Sequence, residues 1–260
     1  MIEALFLVTP ECAPFFNMAA DEWLFEQVSV KSLAPAILRL YSWAPSGITI
    51  GYNQSFSRAV DSSKIAAPIT IIRRITGGRA IYHESSELTF SITASINLFP
   101  YGSDSISAVN TLISDALVKV FERLGLNTQW SRRASGSPIT FNGEGSQACF
   151  QSLTKYELTA GGMKIAGGAQ RKTGNFLIHQ GSIKLNGMTA YPAISQPYME
   201  KVPRLAGDAN ITLDNLAPHF LAVFASTLRT RFKKLELSPS FVAEIAQKSE
   251  LLEKNSLGKR

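Results

Sequence analysis

Cysteine is almost missing from this chain: Cys12 and Cys149 are the only two in 260 residues. Two thiols make neither a disulfide framework nor a zinc set. Histidine is nearly as scarce, and His83, His179 and His219 are too far apart in sequence to show metal-ligand spacing. No apolar run approaches the ~20 residues that a membrane-spanning helix needs. The opening "MIEALFLVTP" has no basic leader before its short apolar stretch, so no secretory signal is read and a cytoplasmic location is expected. Repeats and low-complexity blocks are also lacking. The basic clusters "SRRAS" (131–135) and "RTRFKKL" (229–235) are not interleaved with aromatics and match no nucleic-acid motif. Both read as solvated surface, so neither a nucleic acid nor a membrane is an expected partner.

What is present is an ordinary globular composition, 45% hydrophobic and 18% charged, enough to bury a core. The net charge of +6 suits an acidic protein partner or a phosphate-bearing ligand. A helix is expected over 16–28 with Asn17 as its N-cap, then strands at 36–43 and 47–54 around an "APS" turn. Further strands are expected in "PITIIRRITGG" and "ELTFSITASI". Ile106, Val109, Leu112, Ile113, Ala116, Leu117, Val120 and Phe121 follow helical spacing, and Gly125 is a natural stop. A hairpin turning at Gly161–Gly162 leads to a strand over 175–185, and helices near 214–233 and 239–254 close the chain. Strands and helices do not alternate strictly. The expected fold class is therefore α+β, a mixed sheet flanked by helices, in one domain over 1–260 with a helical portion from about 210.

Three stretches carry candidate chemistry. "RRITGGRAIYHESSELTFSI" (73–92) ends a strand with two arginines, places two glycines next, and adds Arg79. Glycines allow close backbone approach and arginines supply donor forks, a combination suited to an anionic or carbonyl-rich ligand. It is neither a Walker P-loop nor a dinucleotide fingerprint, since both glycine spacings are absent. In "GGMKIAGGAQRK" (161–172), Lys164 stands among small and apolar residues, either facing a cleft or alternating outward to solvent. In "GEGSQACFQS" (143–152), Cys149 is by composition either a packed small hydrophobe or a nucleophile. His83 and His179 are candidate general bases, and no Ser-His-Asp arrangement is legible.

Taken in order, these pieces resemble the lipoate-protein ligase A and octanoyltransferase superfamily. "NMAADEWLF", "LYSWAPSGITIGYNQ", "RRITGGRAIYH", "KIAGGAQRK" and "HQGSI" resemble five of its motifs over about 170 residues. The resemblance implies the catalytic-domain fold of biotin and lipoyl protein ligases, similar to class II synthetases, with an acyl chain held in a deep slot. It implies that Lys164 is the family's essential lysine. It also implies a substrate site built from Arg73, Arg74, Thr76, Gly77, Gly78, Arg79, Ala80, His83, Gly167, Gly168, Ala169, Gln170, His179 and Gly181. Two positions depart from the pattern: Gly168 stands where serine is usual, and Gln180 where a second histidine is usual.

"ACFQSLTKYELTAGGMKIAGGAQ" further resembles the cysteine-dependent octanoyltransferase branch, with the nucleophile fifteen residues before the lysine. That branch implies an octanoyl group taken from acyl carrier protein onto Cys149. It then passes to a lysine on the lipoyl domains of 2-oxoacid dehydrogenases or on the glycine cleavage H protein, in protein lipoylation. No metal or other cofactor is expected. The alternatives are a lipoate-protein ligase using ATP and Mg, an amidotransferase moving octanoyl between lipoyl domains, and a non-catalytic homologue binding an acyl group or a partner.

Overall fold

The computed structural model describes residues 1–30, 33–99, 105–130, 157–160, 163–196 and 211–257. In chain order the elements are β1 (Ile2–Cys12), α1 (Pro14–Ser29), β2 (Ala36–Trp43), β3 (Gly47–Ile50), α2 (Phe56–Ala59), β4 (Thr70–Arg73), β5 (Ile81–His83) and β6 (Leu88–Ser95). They continue with α3 (Ile106–Arg123), β7 (Gln129–Trp130), β8 (Leu158–Ala160), β9 (Met163–Thr173), β10 (Phe176–Ile183), α4 (Leu213–Leu228), β11 (Thr230–Lys234) and α5 (Pro239–Leu257). The fold is the expected α+β class. An eight-stranded mixed sheet runs β11-β1-β2-β6-β10-β9-β8-β7, and a three-stranded sheet runs β4-β3-β5.

Successive side chains of a strand point to opposite faces, so the large sheet has two surfaces of different character. Leu38 and Leu40 of β2 and Leu88, Phe90 and Ile92 of β6 form one core with Val109, Ile113, Leu117 and Phe121 of α3 and with Leu216, Phe220 and Phe224 of α4. The opposite face is covered by α1, which packs Trp23 and Leu24 against Ile37 of β2 and Ile245 of α5. Ten residues of α1 are buried, including Asn17, Asp21 and Gln27. A helix buried nearly all round brings polar side chains into the interior, where each needs a partner.

The structure corrects two local expectations. Helix α1 starts at Pro14, with proline at its first position, so Asn17 is not its N-cap. Asn17 instead donates from its amide to the carbonyls of Cys12 and Ser42. Residues 230–234 are a strand and not the end of a helix. Helix α4 stops where Arg229 turns left-handed at φ +52°, and β11 then pairs in parallel with β1, Ile2 opposite Thr230 and Phe6 opposite Lys234. Strand β3 ends at Ile50, four residues earlier than expected. The turn at 161–162 lies outside the described residues, while β8 and β9 on either side of it pair antiparallel.

Candidate active site

The face of the sheet beneath α1 is polar along a line. Arg39 is fully buried and donates from Nη1 to Asp21 Oδ1 (2.8 Å), from Nη2 to Asn17 Oδ1 (2.6 Å) and from Nε to Thr9 Oγ1 (2.9 Å). Asp21 also accepts from Tyr41 Oη (2.9 Å), Ser91 Oγ (2.8 Å) and Gln180 Nε2 (2.7 Å). A buried carboxylate with a guanidinium and three further donors has its lone pairs occupied. Burial, together with the Asp21 charge, pushes the Tyr41 phenol well above its ordinary range, so it stays a neutral donor.

A second buried carboxylate, Glu87, gathers the next set. Its Oε1 accepts from His83 Nδ1 (2.7 Å), Ser182 Oγ (2.6 Å) and Thr89 Oγ1 (3.0 Å), and its Oε2 pairs with Lys184. Lys184 and Glu87 are both fully buried. Burial alone would raise the Glu87 pKa; pairing with His83 and Lys184 reverses this and holds it at about 2. Burial pushes His83 below its usual value, with Glu87 opposing and Lys184 and Arg74 adding to the fall. The network assigns a neutral tautomer: Nδ1–H donates to Glu87, Nε2 accepts from Thr49 Oγ1 (2.7 Å), and Thr49 accepts from Arg74 Nη1 (3.0 Å). Trp43 stacks on the His83 ring at 3.9 Å and donates from Nε1 to Thr89 Oγ1 (2.8 Å).

Between these clusters lies a narrow cavity of about 40 Å³. Met18, Tyr41, Trp43 and Ile81 form its apolar wall, and Thr49, His83, Thr89 and Ser182 lie among its most buried lining residues. Its least buried lining residues are Gly78, Gly167, Gly168 and Ala169, which mark the mouth. Gly78 holds φ +85°, and its carbonyl lies 2.0 Å from where a Cβ on Gly51 would sit, so the turn needs glycine at both positions. Lys164 stands beside that mouth. A Cβ on Gly167 would come within 3.5 Å of the Lys164 ammonium, which donates to Glu157 Oε1 at 2.7 Å. Of the two readings open in the sequence, the inward-facing lysine is the one observed: Lys164 is 9% exposed.

The expected site residues divide by strand face. Arg74, Gly78, His83, Gly167, Gly168, Ala169 and Gly181 line the slot. Thr76 is buried behind it and donates to Gln180 Oε1 (2.6 Å). Arg74 clamps the turn by donating to the carbonyls of Gly77 and Arg79, while Ala80 belongs to the core of the small sheet. Arg73 points away, donating from Nη1 to the carbonyls of Gly51, Tyr52 and Gln54 and lining a separate cavity of about 220 Å³ with Glu22 and Leu252. Gln170 faces α3, where it donates to the Ile106 carbonyl. His179 stacks on Phe90 on that same far side, and its Nδ1 has no partner among the described residues. Burial pushes its pKa down to about 4. Cys149 lies outside the described residues.

The two departures from the family pattern acquire a physical basis. A Cβ on Gly168 would sit 2.2 Å from His179 Nε2, so the ring occupies the space that a serine side chain would need. Gln180 bridges Thr76 of the glycine turn to Asp21 beneath α1 through its two amide ends. Sequence reasoning missed Arg39, Tyr41, Trp43, Glu87, Thr89, Ser182, Lys184 and Glu157. The available signal was alternation: Thr89, Ser91 and Thr93 are polar at every second position of β6.

Two of the solved structures similar in fold are lipoate-protein ligases. A bipartite lipoate protein ligase from Thermoplasma acidophilum superposes with a TM-score of 0.70 at 16% identity, covering 96% of this chain and 93% of its own. Lipoate-protein ligase A bound with ATP gives 0.69 at 23%, covering 95% and 94%. Residues 13–204 match the lipoyl protein ligase A/B catalytic domain, and the chain belongs to that family. Among curated relatives, octanoyltransferase LipM of Macrococcus caseolyticus is 36% identical over 183 residues, 70% of this chain and 65% of that protein's length. Octanoyltransferase LipM of Staphylococcus aureus is 29% identical over 94% of both chains.

Proposed function

We propose that the protein is an octanoyltransferase of protein lipoylation that uses Cys149 as nucleophile and Lys164 as its charged partner. The observation that carries this reading is the Lys164 ammonium, held by Glu157 beside the mouth of a narrow slot. An acyl tail in the slot would bring its carbonyl to the lysine. An ammonium there favours a thiolate over a thiol, whose ordinary pKa is about 8.5, and stabilises charge developing on the carbonyl oxygen. The similarity to octanoyltransferases LipM supports the acyl group, and the motif around Cys149 supports the covalent route.

In this reading the Cys149 thiolate attacks the carbonyl of an octanoyl thioester on acyl carrier protein. The new carbon–sulfur bond forms as the bond to the carrier's thiol breaks, and the departing thiolate takes up a proton. The ε-amine of a lysine on a lipoyl domain then attacks the enzyme thioester. A carbon–nitrogen bond replaces the carbon–sulfur bond, the amine loses a proton, and Cys149 is regenerated as thiolate. The acyl group arrives already activated, so the exchange needs no nucleotide. Both protein substrates would be acidic, and the net charge of +6 would speed their encounter. The cytoplasm is the matching compartment, and no helix among the described residues is long and apolar enough to cross a membrane.

The test is transfer to an apo lipoyl domain, followed by the acceptor's intact mass. Octanoylation from octanoyl-acyl carrier protein without ATP is the expected result. Modification only from free octanoate with ATP and Mg would assign the protein as a ligase, and octanoylation from an octanoylated H protein alone would assign it as an amidotransferase.

A further inference from the structure

We propose that the hydrogen-bonded cage around Glu87 is the floor of the acyl slot and sets an abrupt upper limit on the length of chain it accepts. The inference rests on reading this slot as the acyl site. Four of the lining residues are nearly fully buried, and each is tied to the same buried group. His83, Thr89 and Ser182 all donate to Glu87 Oε1, and Thr49 reaches it through the His83 ring. Trp43 braces two of them, lying flat on His83 and donating to Thr89. Behind the carboxylate stands Lys184, fully buried and bonded also to the Tyr82 carbonyl at 3.0 Å.

A floor of this kind does not yield as an apolar one does. Leucine or methionine at the end of a slot can change rotamer and admit another carbon. Here, moving Thr89 or Ser182 strips a donor from a buried carboxylate, and moving His83 also uncovers Trp43. An added methylene gains roughly fourfold in affinity when fully buried. Stripping one hydrogen bond from a buried charged group costs a factor of roughly 10–150. The floor therefore holds, and a chain too long by one or two methylenes must leave its carbonyl displaced from the mouth. Lys164, fixed by Glu157, cannot follow it.

The experiment measures binding and transfer separately on the full chain. Titration calorimetry with hexanoate, octanoate, decanoate and dodecanoate reads the slot itself, and transfer from the matching acyl-carrier proteins reads the reaction. Affinity is expected to rise with each carbon up to one length and then fall by roughly 10–200-fold within two further methylenes. Thr89→Ser removes a methyl but keeps the hydroxyl on Glu87, and Trp43→Phe shortens the brace. Both are expected to move the limit to a longer chain in binding and, where transfer occurs, in transfer. Affinity that keeps rising through dodecanoate, or a limit unmoved in Thr89→Ser, overturns the inference. Because Thr89→Ser is nearly isosteric, it decides the matter even if Trp43→Phe does not fold. A wild-type limit seen in binding without any transfer would uphold the floor and count against the transferase reading alone.

Discussion

The two faces of the large sheet are made by the same strands and have opposite chemistry. On the α3–α4 side, Leu38, Leu40, Leu88, Phe90 and Ile92 pack as an ordinary apolar core. One residue along, Arg39, Tyr41, Thr89, Ser91, Gln180, Ser182 and Lys184 build two carboxylate-centred networks under α1. The first face tolerates changes of shape at a cost in stability. The second holds a slot open, because its polar groups are committed to Asp21 and Glu87 and cannot collapse into it. A site of this kind is a face of a sheet, not a loop, and the core behind it gives it rigidity.

The contrast predicts a separation of effects. The charge-neutral double variant Glu157→Gln, Lys164→Met is expected to keep its melting temperature within a few degrees while transfer falls roughly 10²–10⁴-fold, as for a lost proton-transfer or charge partner. On the opposite face, Phe90→Ala is expected to cost about 3–5 kcal/mol in denaturant unfolding. What enzyme stays folded should keep the same acyl-length preference. If that preference shifts, the two faces are not independent.

The third prediction concerns pH. His179 is buried on the apolar side with a pKa near 4 against an ordinary value of 6.5. The unfolded chain therefore binds the proton first. The stability His179 contributes is complete above about pH 6.5 and is lost as pH falls toward 4, a difference of about 3 kcal/mol. Glu22 acts in the opposite sense, since burial raises its pKa to about 7. Comparing wild type with His179→Gln by urea unfolding at each pH between 4 and 7 cancels that contribution, and the wild type's stability relative to the variant should fall as pH drops toward 4.

The smallest effect is expected at the seam between the faces. Gly168→Ser places a side chain against His179 Nε2 and is expected to cost roughly 1–3 kcal/mol, as overpacking does. Adding His179→Ala should return part of that loss, because the two positions share space, while the Gln180 carbonyl 2.9 Å from the new Cβ remains. Equal losses in the single and double variants would mean that the serine fails for another reason.

Much of this was legible in sequence, and the limits have a physical cause. The glycine turn at 76–78 and the helix over 106–123 each leave a local mark in residue type or spacing, whereas residue type left Lys164 open between cleft and solvent. Faces are harder. His179 and Gln180 are neighbours in one apolar strand, and only the pairing of β10 with β6 and β9 decides that Gln180 faces the slot and His179 the core. A shift of one residue would exchange them. Glu87 and Lys184 meet across nearly a hundred residues, a contact that no spacing rule reports.

The central claim is that the octanoyl group rests on Cys149 while Lys164 stands at the slot. Its most direct test is the intact mass of the enzyme after mixing with octanoyl-acyl carrier protein, without nucleotide and without acceptor. The account predicts an adduct of one octanoyl group, absent in Cys149→Ser and discharged when apo lipoyl domain is added. An enzyme that stays unmodified without acceptor, yet octanoylates apo lipoyl domain once it is added, would contradict it.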